Sequence, residues 1–324
     1  MTKAEYFVAR RKLSFEPSLP VTTVLLVCDL LLLAGSVWLI SHPGGPAHWL
    51  GQLLLAVFYF HNFALLHECG HGNVHRHETT NAVIGHYASL FCFLPYFPWK
   101  DIHREHHSWT GNLEKDPTLK KVRQMKLAGK VPLIVRLAWW SWIPVAALLQ
   151  HFVFWGYPFA AWREGKLRGR QLYQSAFSVA LLAAAGSLWI LYAPPAVALV
   201  NIWPSLLAYL ICVELVNLPH HLGMPTLDGS ATRKKLYLWE QNHTTRTCWY
   251  PGLISELFVL NFNLHIEHHF FPTLPWYRLK AAREVIRPHL EGEYHQTTGV
   301  EWNLINRSRD PQDLILSPPP MPKI

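Results

Sequence analysis

The sequence predicts an all-α integral membrane protein, with four transmembrane helices in two hairpins, interfacial or re-entrant helices, and a cytoplasmic cap rich in histidine. Three observations predict it. Half of the 324 residues are hydrophobic and 15% are charged, against about a quarter charged in soluble domains. Four apolar runs are long enough to cross a bilayer. Histidines fall in tight clusters beside those runs, among polar residues.

Residues 1–20 form a polar segment with Lys3, Arg10, Arg11 and Lys12. It leads into a full-length apolar run, so it is not read as a cleavable signal. A membrane domain then covers 21–302. Its first crossing is 21–40, and at about 1.5 Å per residue such a run spans the bilayer core. The loop 41–47 is short, rich in Gly and Pro, and carries no Lys or Arg. The second crossing, 49–66, must therefore return as a hairpin, and it delivers His67 at its end. His42-Pro-Gly-Gly45 in that loop is read as a tight turn, with no room for a haem domain.

A long basic stretch follows, about 72–130. Inside it, 82–99 is apolar but broken by Gly85, His86, Pro95 and Pro98. It lies in the interface, dips partway into the membrane, or forms a soluble amphipathic helix. The run 131–161 is interrupted by Arg136, Pro144, Gln150, His151 and Pro158. Crossings three and four, 176–192 and 196–218, are cleaner and meet at Ala193-Pro194-Pro195. Leu253 to Leu264 is a short apolar run. From about 303 the tail is polar and Pro-rich, and it is expected to be poorly ordered or extended.

The charge balance is +8. Long apolar runs break up that excess, which suits cytoplasmic membrane loops and not a nucleic acid partner. By the positive-inside rule, 120–130 and the run Arg163, Lys166, Arg168, Arg170 are cytoplasmic. The stretch 131–161 must then enter and return, or lie flat. The result is four crossings, with both termini and every histidine cluster inside. Fifteen tryptophans suit membrane interfaces. Five cysteines, without a CxxC pair, read as reduced thiols.

The clusters are His67-Glu-Cys-Gly-His71 with His75, His103-Arg-Glu-His106-His107, Asn217-Leu-Pro-His220-His221, and His265-Ile-Glu-His268-His269. On a helix, positions i, i+3 and i+4 share a face, so each HxxHH run aims its imidazoles the same way. These are more imidazoles than the roughly four to six ligands one ion takes, which implies two metals. Imidazole without thiolate suits iron, zinc, copper or nickel better than calcium or magnesium. Each of Glu68, Glu105 and Glu267 lies beside ligand histidines and is expected to accept the other ring N–H of one. Glu214 precedes Asn217 by three on one helix face and is given a role near the site. Asp29 has no obvious partner in its crossing. Asn242 to Arg246 either orients ligands, contacts a head group, or is a solvated loop.

The spacings HxxxH, HxxHH and HxxHH, in that order around two hairpins, resemble the membrane-bound fatty acid desaturase family, as does His268-His-Phe-Phe-Pro272 after the last box. The resemblance runs from about residue 20 to 285. It implies a centre of two iron ions, O2 as co-substrate, and an external electron donor. It assigns His67, His71, His103, His106, His107, His265, His268 and His269 as ligands. In that family a further His follows an Asn by four near the last crossing, which implies His221, with Asn217 reaching metal through water. His220 is the rival to His221, and His75 is either a ligand or a support for one.

The expected function is O2-dependent introduction of a double bond into a fatty acyl chain, in lipid metabolism. The substrate would be an acyl lipid, an acyl-CoA or an acyl carrier protein thioester, and the donor a ferredoxin or cytochrome b5. A related hydroxylase, carotenoid oxygenase or fatty acid decarboxylase would keep the same centre. A metal-ion transporter would place its ligands at the midplane within crossings, whereas these boxes lie outside the long apolar runs.

Overall fold

The structure is a computed structural model that describes residues 1–42, 45–192, 195–228, 235–319 and 321. Three expected features fall partly outside these residues: the turn at Pro43 and Gly44, the joint at Ala193 and Pro194, and the tail at Pro320 and Pro322 to Ile324. Four of the described helices are long and apolar enough to cross a membrane: Leu19–Ile40, Pro46–His71, Gly169–Tyr192 and Ile202–His221. Each exceeds or overlaps a crossing read from sequence. Cys28, Cys69, Cys92, Cys212 and Cys248 are free thiols.

The chain divides into two compact units. One comprises 1–16, 102–145 and 214–324; the other comprises 17–101 and 146–213.

The first unit opens with α1 (Lys3–Arg11), whose start is fixed by a capping box between Thr2 and Glu5. The second begins with α2 (Leu19–Ile40) packed along α3 (Pro46–His71). Asp29 of α2 is not left alone: His61 Nδ1 donates to its Oδ1 at 2.7 Å, and both residues are buried. The partner comes from the next helix, which packs along α2 and brings His61 to the depth of Asp29. Helix α3 outlasts its apolar run and carries His71 on its final turn. It stops at Gly72, which has φ +78°. Gly72 N–H donates to Cys69 O and Asn73 N–H to Glu68 O, closing the last turn on a left-handed residue that favours glycine.

The broken stretch 82–99 becomes two helices, α4 (Glu78–Cys92) and α5 (Tyr96–Trp109). Phe93 at φ +60° and Pro95 make the break. Within the second unit α4 packs on α3, and Tyr96 at the start of α5 donates to Cys69 O at 2.9 Å.

In the first unit, α6 (Lys120–Ala128) and α7 (Leu133–Trp140) follow α5. Beyond Trp142, at φ +58°, the chain turns into α8 (Val145–Arg163). So 131–161 is two helices, and α8 hydrogen-bonds to the end of α4 through His151 and Trp155. Neither is among the candidate spans. Helix α9 (Gly169–Tyr192) meets α4 at Ser178, which bonds His86 at 3.0 Å. Helix α10 (Pro195–His221) meets α3 where Ser205 N–H donates to Gln52.

The rest of the first unit is built from short elements. A parallel pair, β1 (Thr247–Trp249) and β2 (Gln296–Thr298), brackets α11 (His265–Phe270) and α12 (Leu279–Ile286). Tyr6 of α1 packs into this core and donates to Phe270 O at 3.0 Å. The tail departs from expectation. Residues 303–316 fall in α13 (Gly299–Arg307) and α14 (Pro311–Leu316), whose starts are capped by Thr298 and Asp310. Buried Trp302, Asn303, Arg307 and Ile315 provide the packing that a polar, Pro-rich composition does not advertise.

Candidate metal centre

The histidine boxes are delivered by helix ends. Helix α5 carries His103, His106 and His107, and its end is held by Thr110 donating to His106 O at 2.8 Å. Gly111, at φ +79°, ends it beside Thr244, where a Cβ would collide. Helix α10 ends with His220 and His221, and α11 supplies His265, His268 and His269. A π-turn over Ile254–Phe258, with Leu260 and Asn261 at positive φ, aims the chain into α11.

Within the first unit two groups of imidazoles form. His103, His107 and His268 bring ring nitrogens within 4.8 Å of one another, and so do His106, His221 and His269. His107 Nε2 lies 3.0 Å from His103 Nε2 and 2.9 Å from His268 Nε2. The two trios are side by side, with His107 and His269 ring centroids 4.3 Å apart. His265 adjoins the second trio: its Nε2 lies 3.0 Å from His221 Nε2 and 3.2 Å from His269 Nε2. Each HxxHH run is thus divided. On α5, the i and i+4 residues serve one trio and the i+3 residue the other. On α11, adjacent His268 and His269 go to different trios.

His67 and His71 belong to the other unit, on the last turns of α3, with ring centroids 4.8 Å apart. Glu68 Oε1 lies 3.1 Å from His67 Nδ1, and Asn73 Nδ2 donates to its second oxygen at 3.1 Å.

Behind the second trio each ring has an acceptor. A carbonyl or carboxylate oxygen can only accept, so the facing ring nitrogen carries the proton. His106 Nδ1 donates to Asp116, 3.0 Å from both oxygens. His221 Nδ1 donates to Thr244 O at 3.0 Å. His269 Nδ1 donates to Gln241 Oε1 at 2.7 Å, while Gln241 Nε2 donates to His107 O. With Nδ1 protonated, Nε2 keeps the lone pair that binds a metal. Burial, followed by the neighbouring imidazoles, pushes the pKa values of His265 and His269 well below the usual histidine range. Both rings are neutral at pH 7.

The donor set fits two metal ions. Nitrogens bound about 2.1 Å from one ion at right angles lie about 3.0 Å apart. The contacts of 2.9–3.2 Å between facing Nε2 atoms match that edge.

Other expected residues fall elsewhere. Glu267 turns away from the rings: Thr247 Oγ1 donates to it at 2.7 Å, Tyr294 OH donates to its other oxygen, and burial raises its pKa. Glu105 is half-buried on α5, and the acceptor for His106 is Asp116 instead. Glu214 pairs with Arg307. Asn217 is half-buried one turn before His221. His220 stacks on His265, with centroids 4.0 Å apart, and His75 accepts from His77 N–H; neither enters the two groups of donor atoms. Asn242, Thr244 and Thr245 are buried, so this segment is not a solvated loop, and the Thr244 carbonyl faces His221. Asp116 and Gln241 were not legible as partners in the sequence. Asp116 lies ten residues beyond His106, and Gln241 lies 28 residues before His269.

The chain matches the family model described as fatty acid desaturase over residues 43–299. It is 27% identical over 258 residues to the sn-1 oleoyl-lipid 12-desaturase of Picosynechococcus sp., covering 75% of this chain and 70% of that one. It is 26% identical over 311 residues to the sn-1 acyl-lipid omega-3 desaturase (ferredoxin) of Synechocystis sp., covering 87% and 79%. It is 25% identical over 274 residues to the acyl-lipid omega-3 desaturase (cytochrome b5) of the endoplasmic reticulum of Arabidopsis thaliana, covering 78% and 65%. With four apolar helices and paired histidine trios already in place, this chain belongs to the fatty acid desaturase family and is a membrane oxidoreductase acting on fatty acids.

Proposed function

We propose that the protein is a di-iron, O2-dependent desaturase that places a double bond in the acyl chain of a membrane lipid. The observation that carries this reading is the pair of imidazole trios packed side by side. His103, His107 and His268 would hold one ion, and the family resemblance adds His67 and His71 to the ligand set. His106, His221, His265 and His269 would hold the other, with Asn217 reaching it through water; His220 backs His265, on which it stacks, and His75 is a further candidate ligand. Two bound irons would supply the oxidising power for removing hydrogen from an unactivated methylene pair, which no general acid or base can do.

The residues of the chain do the rest. Asp116, Gln241 and the Thr244 carbonyl keep the proton on Nδ1 of their histidines, so each Nε2 faces inward. Neutral imidazoles avoid competition between protons and metal. The reaction would need a dry path for the acyl chain, with one methylene pair held still against the site.

The relatives named above for ferredoxin and for cytochrome b5 support an external donor of that kind. Exposed Lys120, Lys121 and Arg123 on α6 offer an acidic donor a basic surface. In this reading both termini and every histidine cluster are cytoplasmic, and the four spans form two hairpins. The test is the fatty acid profile of membranes with and without expression. New double bonds support desaturation; an added oxygen or a shortened terminal alkene would overturn it.

A further inference from the structure

Of the three acceptors behind the second trio, Asp116 alone is a carboxylate. It is 2% exposed. Gly111 N–H, Thr118 N–H and Thr118 Oγ1 donate to it at 3.2, 3.0 and 2.7 Å, and His106 Nδ1 lies 3.0 Å from both its oxygens. Four donors converge on one buried anion, so its position is over-determined. It stands at the start of a short 3-10 turn, ten residues beyond His106, on a loop that doubles back under α5. A carboxylate behind a ligand imidazole fixes the tautomer, limits rotation of the ring and raises the basicity of the far nitrogen. An amide or carbonyl acceptor does the first two and less of the third.

We infer that Asp116 is a positioning residue for one metal position, acting through His106, and that its charge tunes that ion. The inference rests on the di-iron reading above. Asp116 touches neither substrate nor metal in this account. It presents His106 Nε2 to the second trio and donates electron density through the ring. Glu105, although adjacent to His106 in sequence, has no such part.

The test uses the full-length protein, purified in lipid nanodiscs and loaded with iron-57. Iron per chain, retention against a chelator and Mössbauer spectra are compared for wild type, Asp116→Asn, Asp116→Leu and Glu114→Gln, an exposed carboxylate in the same loop. Wild type and Glu114→Gln should bind two irons with the same spectra. Asp116→Asn keeps an oxygen acceptor but loses the charge. It should keep its fold, change the spectrum of one iron and not the other, and lose that iron about 10–100-fold more readily. Asp116→Leu should fall towards one iron per chain. If that variant fails to fold because Gly111 and Thr118 lose their acceptor, Asp116→Asn still decides. An Asp116→Asn protein with wild-type spectra and chelator resistance overturns the inference and leaves the di-iron reading standing. A wild-type protein that binds no iron overturns both.

Discussion

Arg307 Nη2 donates to Glu214 Oε2 at 2.6 Å, with 3% and 4% of the two side chains exposed. The pair ties α13 to the last turns of α10, just before Asn217 and His221. Arg307 also donates to Trp139 O at 3.2 Å and lies over the Trp139 ring. Helix α13 is thereby made part of the frame that carries His221.

Replacing Arg307 with Met should strand a buried carboxylate. The expected loss is roughly 3–5 kcal/mol of stability. Glu214→Leu with Arg307→Met should lose less than the single change, because no unpaired charge remains. Thermal unfolding in detergent reads both. A double variant no more stable than Arg307→Met would show that the charge pair is not the cause.

His106→Ala and His268→Ala should each abolish desaturation while leaving the protein in the membrane. One change opens the second trio and the other the first, so each should lose mainly one iron. Product analysis and metal content check the pair, and full turnover in either variant would remove that residue from the ligand set.

Asp29 and His61 share a buried hydrogen bond of 2.7 Å between α2 and α3. His61→Leu leaves the carboxyl group without its donor and should cost about 1–3 kcal/mol. Asp29→Leu together with His61→Leu should recover part of that loss. The order of the two melting temperatures in detergent is the measurement.

Iron-free protein should lose stability on mild acidification. His265 and His269 resist protonation in the folded state, whereas unfolded histidines take up protons near pH 6.5. Below that pH the unfolded state binds more protons, so stability falls as pH falls, and it is fully present above about 6.5. Melting temperatures from pH 7.5 to 5.5 should decline. Double replacement of both histidines with Gln should flatten the decline.

Much of the architecture was legible because it depends on local pattern. Unbroken apolar runs mark the spans, and helical spacing marks the boxes. The Phe93–Pro95 break is visible as a proline, and its effect is local to the chain. The lengths of the helices were less legible. The end of α3 extends past its apolar run to His71, because polar residues continue a helix wherever packing and a cap allow it.

The sequence by itself determined where the histidine boxes stand and how far apart their side chains lie along each helix. It did not determine which imidazoles would group together. His106 and His107 are about 100° apart around α5, so two neighbours on one face can look into two different sites. Only the approach of α10 and α11 assigns them. The same holds for Asp116, Gln241 and Arg307. A carboxylate, an amide and a guanidinium carry no local period that names their partners, and their roles arise when folding brings distant backbone together around them.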